Sequence, residues 1–279
     1  MMRAYHCQLP HASSRKQYCT MKLVVPGGNG FVGQHICRLA VEAGHEVIAF
    51  GRSGAPDLTP VRNPWINKVE WHACDIFDVG AWRPLLDGAD AVIYCIGTIT
   101  QDVERGITFD RVNGESAILA ADVAAEAGVG TFVKLSVQDK PPFVSGRFLA
   151  SMRRPERSIP QQHPELRCVF LRPNLIFGGE RPGTGTAGAL MQAVGNAIPF
   201  GYGDPSGRPL PVQLVAAAAV HAAVTDTLSG CLDVDQVAGI GRTSGLVDID
   251  DLPEASLQPF LASVGGAAVG YWLLKRLFR

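Results

Sequence analysis

The stretch "MKLVVPGGNGFVGQHICRLAVEAGHEVIAFGRSG", which begins at Met21, constrains this chain more than any other. Lys22–Val25 is a short apolar run with strand character, Phe31–Ala43 carries apolar residues at helical spacing, and Glu46–Phe50 is strand-like again. Between the first strand and the helix lies "GGNGFVG", which reads as Gly27-x-x-Gly30-x-x-Gly33 or as Gly28-x-Gly30-x-x-Gly33. Such a motif is weak alone and becomes informative when it follows a strand and opens a helix, as here. The early glycines permit a turn that a Cβ would obstruct and let the backbone approach a pyrophosphate. Gly33 lets the helix pack close on the sheet, and the first-turn amides, around Phe31 and Val32, face the anion. A glycine turn that binds nothing is the plainer alternative.

The alternation recurs downstream. "VEWHACDI" and "ADAVIYCIG" read as strands, Phe109–Ala127 as a long helix, "GTFVKLS" as a strand and "LRCVFLRP" as another. Strands alternating with helices predict an α/β fold, a doubly wound parallel sheet with helices on both faces. After Pro173 the pattern fades into the Gly/Pro-rich stretches "GGERPGTGTAG" and "FGYGDPSGRPLP", separated by a helix predicted around Ala187–Gly195. "LVAAAAVHAAVTDTL" predicts a helix with a small, apolar face. The organisation expected is a leader over 1–20, a Rossmann domain over 21–180, a small region over the sheet's carboxyl edge at 181–250, and an apolar tail helix over 251–279.

The second strand runs into Arg52 and Ser53, with no acidic residue to hold a free ribose 2′-hydroxyl. A guanidinium there suits a 2′-phosphate, so NADP(H) is preferred to NAD(H), although Arg52 can equally be a solvated strand-end residue. Asp75 and Ile76 close the third strand, with Asp75 placed to accept from an adenine amino group. Cys95, Ile96 and Gly97 close the fourth, near the phosphates and ribose. All are ordinary strand-end positions, and their assignment depends on the glycine turn.

Net charge is −1, from 25 basic and 26 acidic side chains, so no global field favours nucleic acid. Seven scattered cysteines, with no CxxC, fit reduced thiols rather than a disulfide framework, and no metal set is visible. The charges are uneven, however. Met1–Val41 holds no Asp or Glu, and "MMRAYHCQLPHASSRKQYCT" is basic and Ser-containing, as organellar transit segments are; a true start at Met21 is the alternative. Leu257–Leu274 is uncharged and is followed by Lys275, Arg276 and Arg279, with Tyr271 and Trp272 as interfacial anchors. This tail reads as a short membrane helix, a helix docked on a membrane partner, or an ordinary packed helix.

Together, "GGNGFVG", "ACDIFD", "CIG", "RVNGESAILAADVAAEAGVGTFVKLS" and "LRPNLIFG" resemble the atypical or extended branch of the short-chain dehydrogenase/reductase superfamily, over about Lys22 to Leu228. Within it the pattern is similar to two mitochondrial groups, the dinucleotide-binding accessory subunit of respiratory complex I and the reductase-like protein of ubiquinone synthesis with its plant organellar relatives. The resemblance implies Gly27, Gly30, Gly33, Arg52, Asp75 and Gly97 as cofactor contacts, Ser136 as the fifth-strand serine and Pro173 as the residue beside the nicotinamide.

It also implies a Tyr-x-x-x-Lys about a dozen residues past that serine, where "GRFLASMRRPE" places Phe148 and Met152 instead. Phe148 has no proton to give and Met152 neither charge nor donor, so no catalytic residue is assigned. Asp139, Lys140, Tyr202 and His163 are weak substitutes, each better read as a solvated loop residue. The expectation is a non-catalytic NADP(H)-binding accessory subunit of a mitochondrial respiratory assembly, complex I first, at the matrix side of the inner membrane, with a plastid as the alternative location. It would contact protein subunits and, through its tail, the membrane, but no nucleic acid. Two other readings stand beside it: an active NADP(H)-dependent reductase, isomerase or assembly factor of ubiquinone or lipid metabolism, and a redox-sensing regulator.

Overall fold

The structure is a computed structural model, and it describes residues 20–139, 144–178 and 209–252. Six parallel strands appear in the order the alternation predicts: β1 (Lys22–Pro26), β2 (Glu46–Gly51), β3 (Val69–Ala73), β4 (Ala91–Tyr94), β5 (Thr131–Leu135) and β6 (Arg167–Leu171). Two short strands follow, β7 (Ile176–Phe177) and β8 (Leu210–Pro211), paired as a small sheet of their own. β9 (Gly230–Leu232) then pairs in parallel with β6, so the main sheet runs β3-β2-β1-β4-β5-β6-β9.

Alternate residues of each strand enter opposite cores, because successive side chains of a pleated strand point to opposite faces. Leu23, Val25, Val47, Ala49, Ala91, Ile93, Val133, Val169 and Leu171 face one layer. It is built from α1 (Phe31–Glu42), α5 (Val212–Val224) and α6 (Val234–Thr243). Val24, Ile48, Phe50, Val92, Tyr94, Phe132 and Phe170 face the other. That layer comprises the short α2 (Val79–Trp82), α3 (Ser116–Glu126) and Ile159 of α4 (Gly146–Gln162). Both faces are covered, which is why the strands read as continuous apolar runs.

Two elements differ from the sequence expectation. Residues 209–252 do not simply fold over the carboxyl edge. The alanines of α5 are wholly buried between sheet, α1 and α6, and β9 extends the sheet itself. The helix starting at Phe109 opens with a π-turn over Asp110–Glu115 before becoming α3. The expected helix at Ala187–Gly195, residues 1–19 of the leader and the apolar tail beyond Leu252 lie outside the described residues. Among the described residues no helix is long and apolar enough to cross a membrane.

Candidate functional site

The sheet order reverses between β1 and β4, and the glycine turn sits at the carboxyl end of β1 beside that crevice. Gly27 has φ +81°, a left-handed conformation that favours glycine. Its amide donates to the Phe50 carbonyl at 2.7 Å, and the Gly30 amide donates back to the Gly27 carbonyl at 2.9 Å. A Cβ on Gly33 would stand 2.2 Å from that same carbonyl oxygen, so only glycine lets α1 approach the turn. Gly30 caps α1 without a side-chain hydrogen bond, and no acidic residue lies in the first turn. The helix therefore presents its positive end, including the amides of Val32 and Gly33, with no acidic residue in its first turn.

The predicted contacts around the turn are gathered by the structure at this edge. Asn29 donates to the Ser53 hydroxyl at 2.9 Å, tying the β1 turn to the end of β2. Arg52 is exposed and makes no ion pair with any described residue. Asp75 accepts the Phe77 amide at 2.9 Å through Oδ1, while Ile76 is buried and its carbonyl accepts from Trp82. The Cys95 amide donates to Pro26, which carries the β1–β4 pairing into the turn, and Ile96 packs against Gly27. Gly97 is exposed beside Asn113.

Asn113, a buried polar residue of the π-turn that the sequence reading did not single out, clamps this loop. It accepts the Thr98 amide at 2.7 Å, donates to the Thr98 carbonyl at 3.0 Å, and reaches Ser151 of α4 at 3.4 Å. It stands among polar and charged residues, in "FDRVNGES", so nothing in its spacing marks it out.

Two strands away, at β5 and α4, the arrangement changes character. Ser136 donates its hydroxyl to Glu156 Oε1 at 2.6 Å. The same carboxylate accepts from Arg153 Nη1 at 2.9 Å, Arg172 Nε at 3.0 Å and Arg172 Nη2. Arg153 also holds the Val137 and Gln138 carbonyls, both at 2.7 Å, and the Gln138 amide donates to the Pro173 carbonyl at 3.0 Å. Burial pushes the Glu156 carboxyl up, but the hydrogen bonds from Arg172 and Ser136 and the charge of Arg153 outweigh it and hold the group below its ordinary range.

Phe148 and Met152, where the resemblance expects a tyrosine and a lysine, are buried in a small cluster with Phe109 and Val137, and the Phe109 and Phe148 rings meet edge-on at 5.5 Å. They occupy those positions as packing. Lys134 of β5 is wholly buried beneath them, its ammonium 3.0 Å from the Leu135 carbonyl and 3.8 Å from the Met152 sulfur. Burial pushes its pKa down to about 8.

Of the substitute groups, His163 lies at the far end of α4, paired with Asp122 at 2.6 Å and facing a cavity of about 370 Å³ at the opposite edge of the sheet. The Asp139 amide is held by Asn174. Lys140 and Tyr202 lie outside the described residues. Among the described residues no cluster of His, Cys, Asp and Glu is arranged to hold a metal ion.

Residues 23–138 match the NAD dependent epimerase/dehydratase family. The match runs from β1 through Ser136 and stops before α4. An uncharacterized chloroplastic protein of Arabidopsis thaliana is 36% identical over 160 residues, 56% of this chain and 51% of that protein; the chain spans about half of that relative's length. MIOREX complex component 2 of Saccharomyces cerevisiae is 26% identical over 218 residues, 62% of this chain and 79% of its own. The fold is shared with the Bordetella bronchiseptica enzyme WbmG in complex with NAD, at TM-score 0.58 and 14% identity over 89% of this chain and 79% of that one. The uncapped helix end, the unpaired Arg52 and the glycine approach fit a nicotinamide dinucleotide, the cofactor class of the family.

Proposed function

We propose that this protein is a dinucleotide-binding accessory subunit of an organellar assembly, with no turnover of its own. In its finer form, the assembly is respiratory complex I at the matrix side of the mitochondrial inner membrane, and the bound dinucleotide is NADP(H). One observation carries this reading. The serine, tyrosine and lysine positions of the reductase pattern hold a serine committed to Glu156 and two buried apolar side chains, while the glycine turn keeps its anion-facing geometry. Proton transfer needs a titratable group within hydrogen-bond reach of the reacting atom. Phe148 and Met152 provide none.

Retaining a cofactor site without turnover has a physical purpose. A ligand that binds only the folded state adds RT ln(1 + [L]/Kd), about 2.7 kcal/mol at a hundredfold excess over Kd. Arg52, exposed and without an acidic neighbour at the end of β2, supports a 2′-phosphate. A chloroplastic relative and the acid-free, basic start of the chain support an organellar location, and a relative named as a complex component supports an assembly role.

In this dinucleotide-binding role, the Gly27–Gly33 turn would hold the diphosphate, Arg52 one end of the ligand, and Gly97 the backbone path beyond it. The bound nicotinamide would supply hydride chemistry, and reducing a carbonyl with it would also need a proton donor at the reacting oxygen, which Phe148 and Met152 do not provide. The test is native mass spectrometry of the protein isolated from its organelle. The expected result is NADP(H) retained at close to one per chain, together with respiratory-complex subunits. Steady oxidation of NADPH with a quinone or carbonyl substrate would overturn the non-catalytic reading.

A further inference from the structure

Lys134 is a wholly buried lysine to which the proposed role gives no part. An ammonium buried in mid-strand with no carboxylate hydrogen-bonded to it is disfavoured, and a methionine of similar volume would pack there without that cost. On strand β5, Lys134 lies on the same face as Phe132, toward α4, and it pairs with Tyr94 of β4. The titratable and charged groups around it are Glu156 and Arg153 on α4 and Cys95 and Tyr94 on β4. None of them hydrogen-bonds to it, although the Glu156 carboxylate favours its charged form from a distance. Glu156 is filled by Ser136, Arg153 and Arg172, burial holds the Cys95 thiol protonated, and the Tyr94 hydroxyl is bonded to Ser116. The ammonium has three donors. It uses one on a carbonyl oxygen and offers another to a thioether.

Its lateral position is informative. β4 and β5 follow β1 in the sheet, so Lys134 stands two strands, about 10 Å, from the glycine turn, on the side away from Arg52. A dinucleotide with its diphosphate at the turn and one nucleoside toward Arg52 carries its other nucleoside over β4 toward β5. Against the Lys134 ammonium packs Met152, 9% exposed, an unbranched side chain able to change rotamer at little cost.

We propose that Lys134, uncovered by a rotamer change of Met152, donates from β5 to ribose oxygens in the nicotinamide half of the bound dinucleotide. The cation missing from α4 is thereby supplied from the sheet. This inference rests on the dinucleotide-binding reading. An oxygen acceptor raises the pKa of the amine it binds, so binding takes up a proton above the free protein's value of about 8, and affinity falls as pH rises through it.

The test is calorimetric titration of the full chain and of Lys134→Met with NADPH and with 2′,5′-ADP, which lacks the nicotinamide half. Titrations at pH 6.5 and pH 9 use two buffers of different ionisation enthalpy. NADPH affinity is expected to fall about tenfold in the variant at pH 6.5, the weight of one hydrogen bond to a charged group, with 2′,5′-ADP unaffected. Wild-type protein should take up a fraction of a proton on binding NADPH at pH 9 and none on binding 2′,5′-ADP, a readout that needs no variant. Equal NADPH affinity in both proteins, or no proton uptake by the wild type, overturns the inference while leaving dinucleotide binding intact. If the wild type binds neither ligand, the dinucleotide-binding reading itself falls, and the inference falls with it.

Discussion

The two ends of the crevice solve different problems with different materials. At the β1–α1 turn, binding geometry is made almost entirely by backbone: the positive φ of Gly27, the 2.9 Å bond from Gly30 to Gly27, and the approach of α1 that Gly33 permits. At the β5–α4 junction, geometry is made by side chains. A carboxylate with two arginines and a serine ties α4 to β5 and β6, and an apolar cluster fills the rest. Backbone sites are lost only by a change of fold, whereas side-chain sites can be rewritten one residue at a time. The grip on a dinucleotide and the chemistry performed on it can therefore separate in evolution without disturbing the sheet.

The largest effect should come from breaking the backbone end. Gly33→Val places a branched side chain where even a Cβ would stand 2.2 Å from the Gly27 oxygen. A cost of about 3 kcal/mol or more is expected from overpacking. Dinucleotide binding should vanish, as read by urea titration and calorimetry.

At the other end, Glu156→Gln leaves two arginines facing an uncharged amide in a site whose carboxyl side chain is only 2% exposed. Breaking a buried pair in this way should cost about 3–4 kcal/mol. The pH dependence has a definite sign. The folded value of Glu156 is depressed, so its contribution is complete above the ordinary 4.5 and is lost as pH falls through the folded value below it. Acid titration of wild type should show this loss and the variant should not.

Lys134→Met should go the opposite way and stabilise the fold while weakening the dinucleotide. With a folded pKa of about 8 against an ordinary 10.5, the unfolded chain holds more protons between those values, so wild-type stability rises over that range. The variant's advantage, at most about 3 kcal/mol, should be full below pH 8 and gone above 10.5. Thermal melts across that range check it.

The smallest effect belongs to Arg52→Glu, on an exposed side chain. Stability should move by less than about 0.5 kcal/mol. The preference for NADPH over NADH should drop about tenfold, the loss of one charge-assisted contact. An unchanged preference would leave Arg52 a solvated strand-end residue.

The glycine turn and the six-strand alternation were legible before the structure, because each is a pattern at fixed local spacing; Phe148 and Met152 were legible as apolar residues where the resemblance expects a tyrosine and a lysine. Ser136 was legible as a position but not as a partner. Its bond to Glu156 joins residues 20 apart, and its meaning depends on Arg172 arriving from β6. Lys134 was visible only as a polar residue in an apolar strand, and Asn113 as one polar residue among several in "FDRVNGES". Neither predicts that one clamps Thr98 or that the other meets Met152. β9 was missed because Gly230–Leu232 is too short to show a period.

What the sequence by itself determined is the layered α/β framework and the turn at Gly27–Gly33, since hydrophobic period and glycine placement act within a few residues of chain. The docking of α4 against β5 and β6 was decided by the tertiary structure alone. That docking sets a strand lysine under a helix methionine and brings the helix carboxylate onto the serine at the end of β5 and an arginine just beyond β6. The physical reason is that buried charges find their partners by proximity in space, and spacing along the chain carries no record of it.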